Sequence, residues 1–104
     1  MEQCKITVLK KTFNKELVAE YSSLDLPEHC LGCPHYTIGD EFLVENHNEV
    51  PDGFCSWAWS DIQKDVTTIM FDGSFPWMKE KGVSIACCTD GLMPVIFKIE
   101  KVNT

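Results

Sequence analysis

A stripe of apolar residues at helical spacing, in the middle of the chain, constrains the fold more than any other feature of the sequence. Downstream of Cys55, large apolar side chains recur every three or four residues, at Trp59, Ile62, Val66, Ile69 and Met70. Polar side chains such as Asp61 and Lys64 occupy the positions between them. This spacing predicts an amphipathic helix with one buried face.

The two ends of this helix carry recognisable signals. The turn-forming stretch 51–54 precedes Cys55, Ser56 is the predicted N-cap, and Gly73 stands where a C-terminal cap is expected. A thiol at a helix N-terminus feels the positive end of the helix dipole, which favours the thiolate that binds metals and attacks electrophiles. Cys55 is therefore the first candidate site residue.

Four further segments have the alternation or the β-branched content of strands. They are residues 4–12, 41–45, 83–88 and 95–102, with Cys4, Ile6 and Val8 on the buried side of the first and Phe42 and Val44 sharing a side of the second. The turn-forming residues 89–94 join the last two segments, which predicts a C-terminal β-hairpin. A short helix is predicted after Asn14, with Leu17, Tyr21 and Leu24 as its apolar stripe.

The order of these elements predicts an α+β fold, with about four mostly antiparallel strands and two helices packed on the sheet. A chain of 104 residues, 44% of them hydrophobic, has room for a single domain that spans residues 1–104. No apolar segment approaches the roughly 18 residues of a membrane span, and no basic region followed by an apolar run opens the chain. A cytoplasmic protein is therefore expected.

The net charge of -7 argues against nucleic acid or an anionic membrane surface as the main partner. The expected partner is another protein or a small ligand. Six cysteines in a reducing compartment are not expected to form disulfides. They are expected to be metal ligands, reactive thiols or small buried apolar residues.

Cys30 and Cys33 have the C-x-x-C spacing with which one tight turn presents two thiolates to a metal. A second C-x-x-C is absent, so further ligands must come from elsewhere in the chain. Cys55 and the adjacent pair Cys87 and Cys88 are the available thiols. A metal site in this protein must therefore be assembled in three dimensions.

Strand geometry separates the adjacent pair, because neighbouring side chains in a strand point to opposite faces. Cys87 is expected to face the core with Val83 and Ile85, and Cys88 to lie on the more polar face with Ser84 and Ala86. The predicted four-thiolate set is then Cys30, Cys33, Cys55 and Cys88. Such a set suits an iron-sulfur cluster or a structural zinc ion.

Other assignments stand beside the metal site. His29 and His35 flank the C-x-x-C and could replace a thiolate, or they are solvated loop histidines.

Trp57, on the polar side of the central helix, and Trp77 suggest a subunit interface or a dry wall around the site. The protein would then be a metal-free interaction module or a homo-oligomer. No enzymatic activity is assigned, because nothing in the local sequence fixes a base beside Cys55.

A set of motifs spread over nearly the whole chain resembles a family of small, functionally uncharacterised prokaryotic proteins that occur as single domains or tandem repeats and are frequent in anaerobes. The matching positions are Cys33, Gly39-Asp40-Glu41-Phe42, Pro51-x-Gly53-x-Cys55-x-x-Ala58, Gly73, Ala86-x-Cys88-x-Asp90 and Pro94-Val95-Ile96-Phe97. The resemblance implies that Cys33, Cys55 and Cys88 form a shared trio, to which Cys30 and Cys87 are additions. The family carries no established activity, and three cysteines leave one coordination position open unless Cys30 closes it.

Taken together, the residues predict a thiolate-metal protein that binds an iron-sulfur cluster, with zinc as the alternative. Its expected role is electron transfer, sulfur handling or an accessory function.

Overall fold

One antiparallel sheet organises the chain, in a computed structural model that describes residues 3–23 and 32–102. Its strands are β1 (Gln3–Lys11), β2 (Glu41–Val44), β3 (Val83–Cys87) and β4 (Val95–Val102), in the order β2-β1-β4-β3. Two helices, α1 (Lys15–Tyr21) and α2 (Ser56–Met70), complete the fold. The predicted α+β class, its four strands, its two helices and its C-terminal hairpin of β3 and β4 are confirmed.

Buried and less buried side chains alternate along β1, because α2 covers one side of the sheet and leaves the other side open. Cys4, Ile6 and Val8 are fully buried, as predicted. Burial raises the pKa of the Cys4 thiol to about 12, so this cysteine behaves as a small apolar residue. The neighbouring strand β4 continues the same covered side with Phe97 and Ile99.

The helix that covers the sheet is α2, which contacts β1, β3 and β4. Its buried side chains include Ile62, Val66, Ile69 and Met70, which confirms the face predicted from the spacing. Asp65 is also buried, although a charged residue at this position gave no sign of burial in the sequence.

Both ends of α2 differ in detail from the prediction. Cys55 is the N-cap, with extended backbone (φ -69°, ψ 123°), and Ser56 is the first helical residue instead of the cap. At the other end Asp72 takes the left-handed conformation (φ 66°), and the Gly73 N–H donates to the Thr68 carbonyl over 2.8 Å. A Cβ at Gly73 would lie 2.6 Å from Thr68 Cγ2, so close packing explains the glycine.

The apolar stripe predicted for α1 is wrong. Leu17 and Tyr21 are exposed, and the buried residue of this seven-residue helix is Val18. A helix of two turns buries only a narrow stripe of side chains. Asn14 does not cap this helix with its side chain, because its amide donates to the Gly91 carbonyl over 2.6 Å. Leu24, the last member of the predicted stripe, lies outside the described residues.

The face assigned to the adjacent cysteines is also wrong, because strand β3 has the opposite phase. Ser84 is buried under α2, whereas Ile85 and Cys87 are exposed. Cys88, just past the end of β3, packs against the core. The register with β4 fixes this phase, since Ser84 and Ala86 pair with the buried Ile99 and Phe97. The Ser84 hydroxyl tolerates its position because it donates to Asp65 Oδ2 over 2.9 Å.

Within residues 3–23 and 32–102, no helix is long and apolar enough to cross a membrane.

Candidate thiolate site

Three of the predicted ligand cysteines line one cavity of about 430 Å³. Cys33 comes from the loop before β2, Cys55 from the N-cap of α2, and Cys88 from the end of β3. All three are partly buried and pack against the hydrophobic core. The remaining lining includes Tyr36, Trp57, Ala58, Thr89, Asp90, Gly91, Met93 and Val95.

A tight turn delivers Cys55 to this cavity. The Phe54 N–H donates to the Pro51 carbonyl over 3.1 Å, and Gly53 takes a left-handed conformation (φ 78°) that glycine adopts without strain. The Cys55 carbonyl then accepts the Trp59 N–H over 2.9 Å and begins the helix. The turn therefore places a thiol at the positive end of α2.

Two hydrogen bonds with Val95 hold Cys88 at the cavity. Its N–H donates to the Val95 carbonyl over 3.1 Å, and the Val95 N–H donates to Cys88 Sγ over 3.3 Å. Asp61 of α2 accepts both the N–H and the hydroxyl of Thr89 over 2.8 and 3.0 Å. The residue after Cys88 is thus tied to the helix that begins at Cys55.

Tyr36 fixes the loop that carries Cys33. Its ring is buried among aromatic neighbours, with centroid distances of 5.5 Å to Phe54 and 5.3 Å to Phe97. Its backbone carbonyl accepts the Lys11 ammonium over 2.7 Å. Its hydroxyl oxygen accepts the Cys55 N–H over 3.0 Å, so Tyr36 links two of the three cysteine segments.

Burial raises the pKa of Tyr36 well above its usual value. Negative charge on Cys55, Cys33 and Cys88 raises it further, against the opposing effect of the Cys55 N–H. Sequence reasoning missed Tyr36, because it lies in an irregular loop where no periodicity distinguishes a buried ring. The only signal was its position three residues after Cys33.

The other candidate residues lie elsewhere. Cys87 is exposed on the uncovered side of the sheet. Cys30 and His29 fall outside the described residues. His35 is exposed, with Nε2 3.0 Å from the Gly53 carbonyl oxygen, which agrees with a solvated loop histidine.

The two tryptophans differ in their relation to the cavity. Trp57 is 71% exposed and lines the cavity, whereas Trp77 is 75% exposed and packs on Phe75 at a centroid distance of 5.2 Å. Trp57 therefore belongs to the site wall, and Trp77 belongs to a separate exposed surface.

Comparison of the chain with protein-family models, with curated proteins and with solved structures gives no match. The family resemblance therefore stays a prediction. In the part of the chain that the structure describes, no group of three or more His, Cys, Asp or Glu side chains forms a site for a single metal ion. The geometry offers three free thiols and a phenol that share one cavity.

Proposed function

We propose that this protein binds an iron-sulfur cluster through the thiolates of Cys33, Cys55 and Cys88, with Cys30 as the fourth ligand. The observation that carries the proposal is that three cysteines, from three separate segments, line one cavity. Iron-sulfur clusters are held by cysteine thiolates, which suits this donor set. Electron transfer, sulfur handling or an accessory role in either follows from such a cluster.

The surroundings of the three thiols support the proposal. The Val95 N–H donates to Cys88 Sγ, and hydrogen bonds to ligand sulfurs are one of the ways in which proteins set cluster potentials. Ala58, Met93 and Val95 give the cavity an apolar lining beside the thiols. An apolar shell restricts water, which controls both the stability and the potential of a metal centre.

A cluster and a single zinc ion make different demands on the ligands. Structural zinc needs four ligands at about 2.0–2.3 Å from one ion. In a four-iron cluster each thiolate binds a different iron, so the cysteines need to share a cavity without converging on one point. A bound cluster would supply a redox-active centre, and the chain would hold it, limit water and donate hydrogen bonds to its ligands.

The proposal includes a cytoplasmic location. The five described cysteines, Cys4, Cys33, Cys55, Cys87 and Cys88, are all free thiols. A reducing compartment keeps thiols in this form.

A second candidate function is a metal-free interaction module or a homo-oligomer that uses Trp57 and Trp77. Their exposed fractions, 71% and 75%, favour this alternative, because large aromatic side chains contribute strongly to interfaces.

The test is the metal content of protein purified without oxygen. Brown protein that contains iron and acid-labile sulfide supports the cluster. Colourless protein with one zinc per chain supports the structural zinc alternative. Colourless, metal-free and cooperatively folded protein contradicts both and supports the interaction module, whose mass in solution would then be measured for wild type and for Trp57→Ala.

A further inference from the structure

Strand β3 is an edge of the sheet, because the order β2-β1-β4-β3 gives it one neighbouring strand. The N–H of Cys88 and the carbonyl of Gly82 both bond to β4, over 3.1 and 2.9 Å. Backbone direction alternates along an antiparallel strand, so the even-numbered residues of β3 turn their N–H and C=O groups toward β4. The residues whose backbone groups point away from the sheet are Val83, Ile85 and Cys87. Within the described ranges, these outward groups have no backbone hydrogen-bond partner.

The two edges of the sheet differ in how they are protected. Native proteins block pairing at an edge with a short strand, with charges or with proline. The edge strand β2 has four residues and begins with Glu41, and Asp40 and Glu45 flank the rest of it. Residues 83–89 contain neither a charged side chain nor a proline, and Ile85 in their midst is 46% exposed. The β3 edge is therefore suited to pairing with a further strand.

A second copy of β3 fits this edge about a twofold axis. In an antiparallel pair centred on Ile85, this residue lies opposite Ile85 of the second copy, and Val83 lies opposite Cys87. Opposite residues of this kind exchange both of their N–H···O bonds, so all three outward residues of each copy are satisfied. The surface is self-complementary, as a twofold interface requires.

The charges at the two ends of β3 favour the same arrangement. The exposed segment 79–81 precedes the strand and carries a net positive charge, with Lys79 and Lys81 against one glutamate. The other end is negative, because Asp90 is exposed there and Asp61 accepts the N–H of the residue before it. Antiparallel pairing sets the positive end of each copy beside the negative end of the other, whereas a parallel pair would bring like charges together.

We infer that two copies of this chain associate through β3, in antiparallel register about Ile85, so that their two sheets become one. The pairing extends the sheet sideways and leaves the side opposite α2 open. It brings the segment 79–82 of each copy toward residues 88–91 of the other, which line the thiolate cavity. The association does not depend on the proposed cluster.

The test places a charge at the centre of this interface. In Ile85→Lys two lysines would lie directly opposite each other, which destabilises a strand pair. Leu43→Lys on the other edge is the matched control, because Leu43 is 47% exposed. The two positions also share their environment, since Leu43 pairs with Lys5 and Ile85 pairs with Lys98.

The measurement is the mass in solution by sedimentation equilibrium, with a thiol reductant present and at protein concentrations up to about 1 mM. Wild type and Leu43→Lys should approach the mass of two chains as the concentration rises. Ile85→Lys should keep the mass of one chain. Circular dichroism of each variant establishes that it is folded.

A mixing experiment tests the register itself. Ile85→Glu alone should also keep the mass of one chain. An equal mixture of Ile85→Lys and Ile85→Glu should recover the mass of two chains, because a lysine then lies opposite a glutamate. An interface elsewhere on the surface would not respond to mixing in this way.

Three outcomes would overturn the inference. Wild-type protein with the mass of one chain at every concentration contradicts the association. A dimer that persists in both Ile85 variants contradicts the β3 interface, and its loss in Trp57→Ala would then favour the aromatic surface. Ile85 variants that are monomeric alone and remain so when mixed contradict the register. The metal content of the wild type, which tests the proposed function, is measured separately.

Discussion

The two faces of the sheet have different chemistry, although the same four strands build both. We call the side under α2 the covered face, and the other side the open face. The covered face carries the fully buried Ile6, Phe97 and Ile99. The open face carries ion pairs in the middle, where Lys5 Nζ lies 3.2 Å from Glu41 Oε2 and 3.4 Å from Glu100 Oε1.

Strand β3 shows that the hydrophobicity of a single residue does not determine which face of the sheet its side chain lies on. Here the covered face receives Ser84, and the open face receives Ile85, which is 46% exposed. Because side chains alternate strictly along a strand, the pairing of β3 with β4 decides the phase for the whole segment. Asp65 compensates by accepting the Ser84 hydroxyl. The same phase turns Cys88 toward the site and Cys87 toward solvent.

The largest expected difference between the faces is in the cost of removing an isoleucine side chain. Ile62→Ala, in α2 against the covered face, should lower the free energy of unfolding by about 2–5 kcal/mol, because it leaves a cavity in the core. Ile85→Ala, on the open face, should cost less than about 1 kcal/mol. Urea denaturation of both variants measures the difference. Equal costs would mean that the open face is covered by something in solution.

A smaller effect is expected from the buried polar pair. Ser84→Ala removes the donor to Asp65 Oδ2 and should cost about 1–3 kcal/mol, the usual range for a buried group left without its partner. Ser60→Ala, at an exposed position of α2, is the control and should change stability by less than about 0.5 kcal/mol. A neutral Ser84→Ala variant would show that Asp65 finds another donor.

The smallest effect is expected on the open face, at Glu100. Hydrogen bonding to Lys98 holds the pKa of Glu100 below its usual value, and Lys5 adds to this effect. A carboxylate whose pKa is lowered by folding stabilises the fold at any pH above the pKa that it has in the unfolded chain. This stabilisation is lost as the pH falls through the pKa that it has in the folded chain. Glu100→Gln should therefore cost less than about 1 kcal/mol at neutral pH, since exposed ion pairs contribute little.

The loss caused by Glu100→Gln should shrink as the pH falls to about 3, where the wild-type carboxyl is increasingly protonated. Glu80→Gln, in the exposed loop before β3, is the control and should change stability by less than about 0.5 kcal/mol at neutral pH. A difference that is constant from neutral to acidic pH would contradict the assigned pKa shift.

The sequence contained enough information for the fold and for the buried face of α2. The spacing of Ile62, Val66 and Ile69 and the alternation of Cys4 and Ile6 are local patterns, and the structure follows both. The phase of β3 could not be predicted from a local pattern. It depends on the register with β4 and on the contact between Ser84 and Asp65, residues 19 positions apart.

The candidate site was predictable only in part, for the same reason. The cysteine spacing and the predicted elements indicated Cys30, Cys33, Cys55 and Cys88 as a set, and the three of them that the structure describes line one cavity. Tyr36 could not be found from sequence, because its burial depends on rings supplied by Phe42, Phe54 and Phe97, which lie in three different segments.

The central claim is that one of two adjacent cysteines belongs to a metal site and the other does not. Cys88 lines the cavity and its sulfur accepts the Val95 N–H, whereas Cys87 is exposed on the open face. Serine is a far weaker ligand than cysteine for soft metals, because its hydroxyl stays protonated. Cys88→Ser should therefore lose most of the iron and sulfide, and Cys87→Ser should keep both.

The decisive measurement is the iron and acid-labile sulfide content of wild type, Cys87→Ser and Cys88→Ser, purified side by side without oxygen, with urea denaturation of each to establish folding. The account predicts wild-type content in Cys87→Ser and a large loss in a folded Cys88→Ser. Full content in Cys88→Ser, or a loss confined to Cys87→Ser, would contradict it.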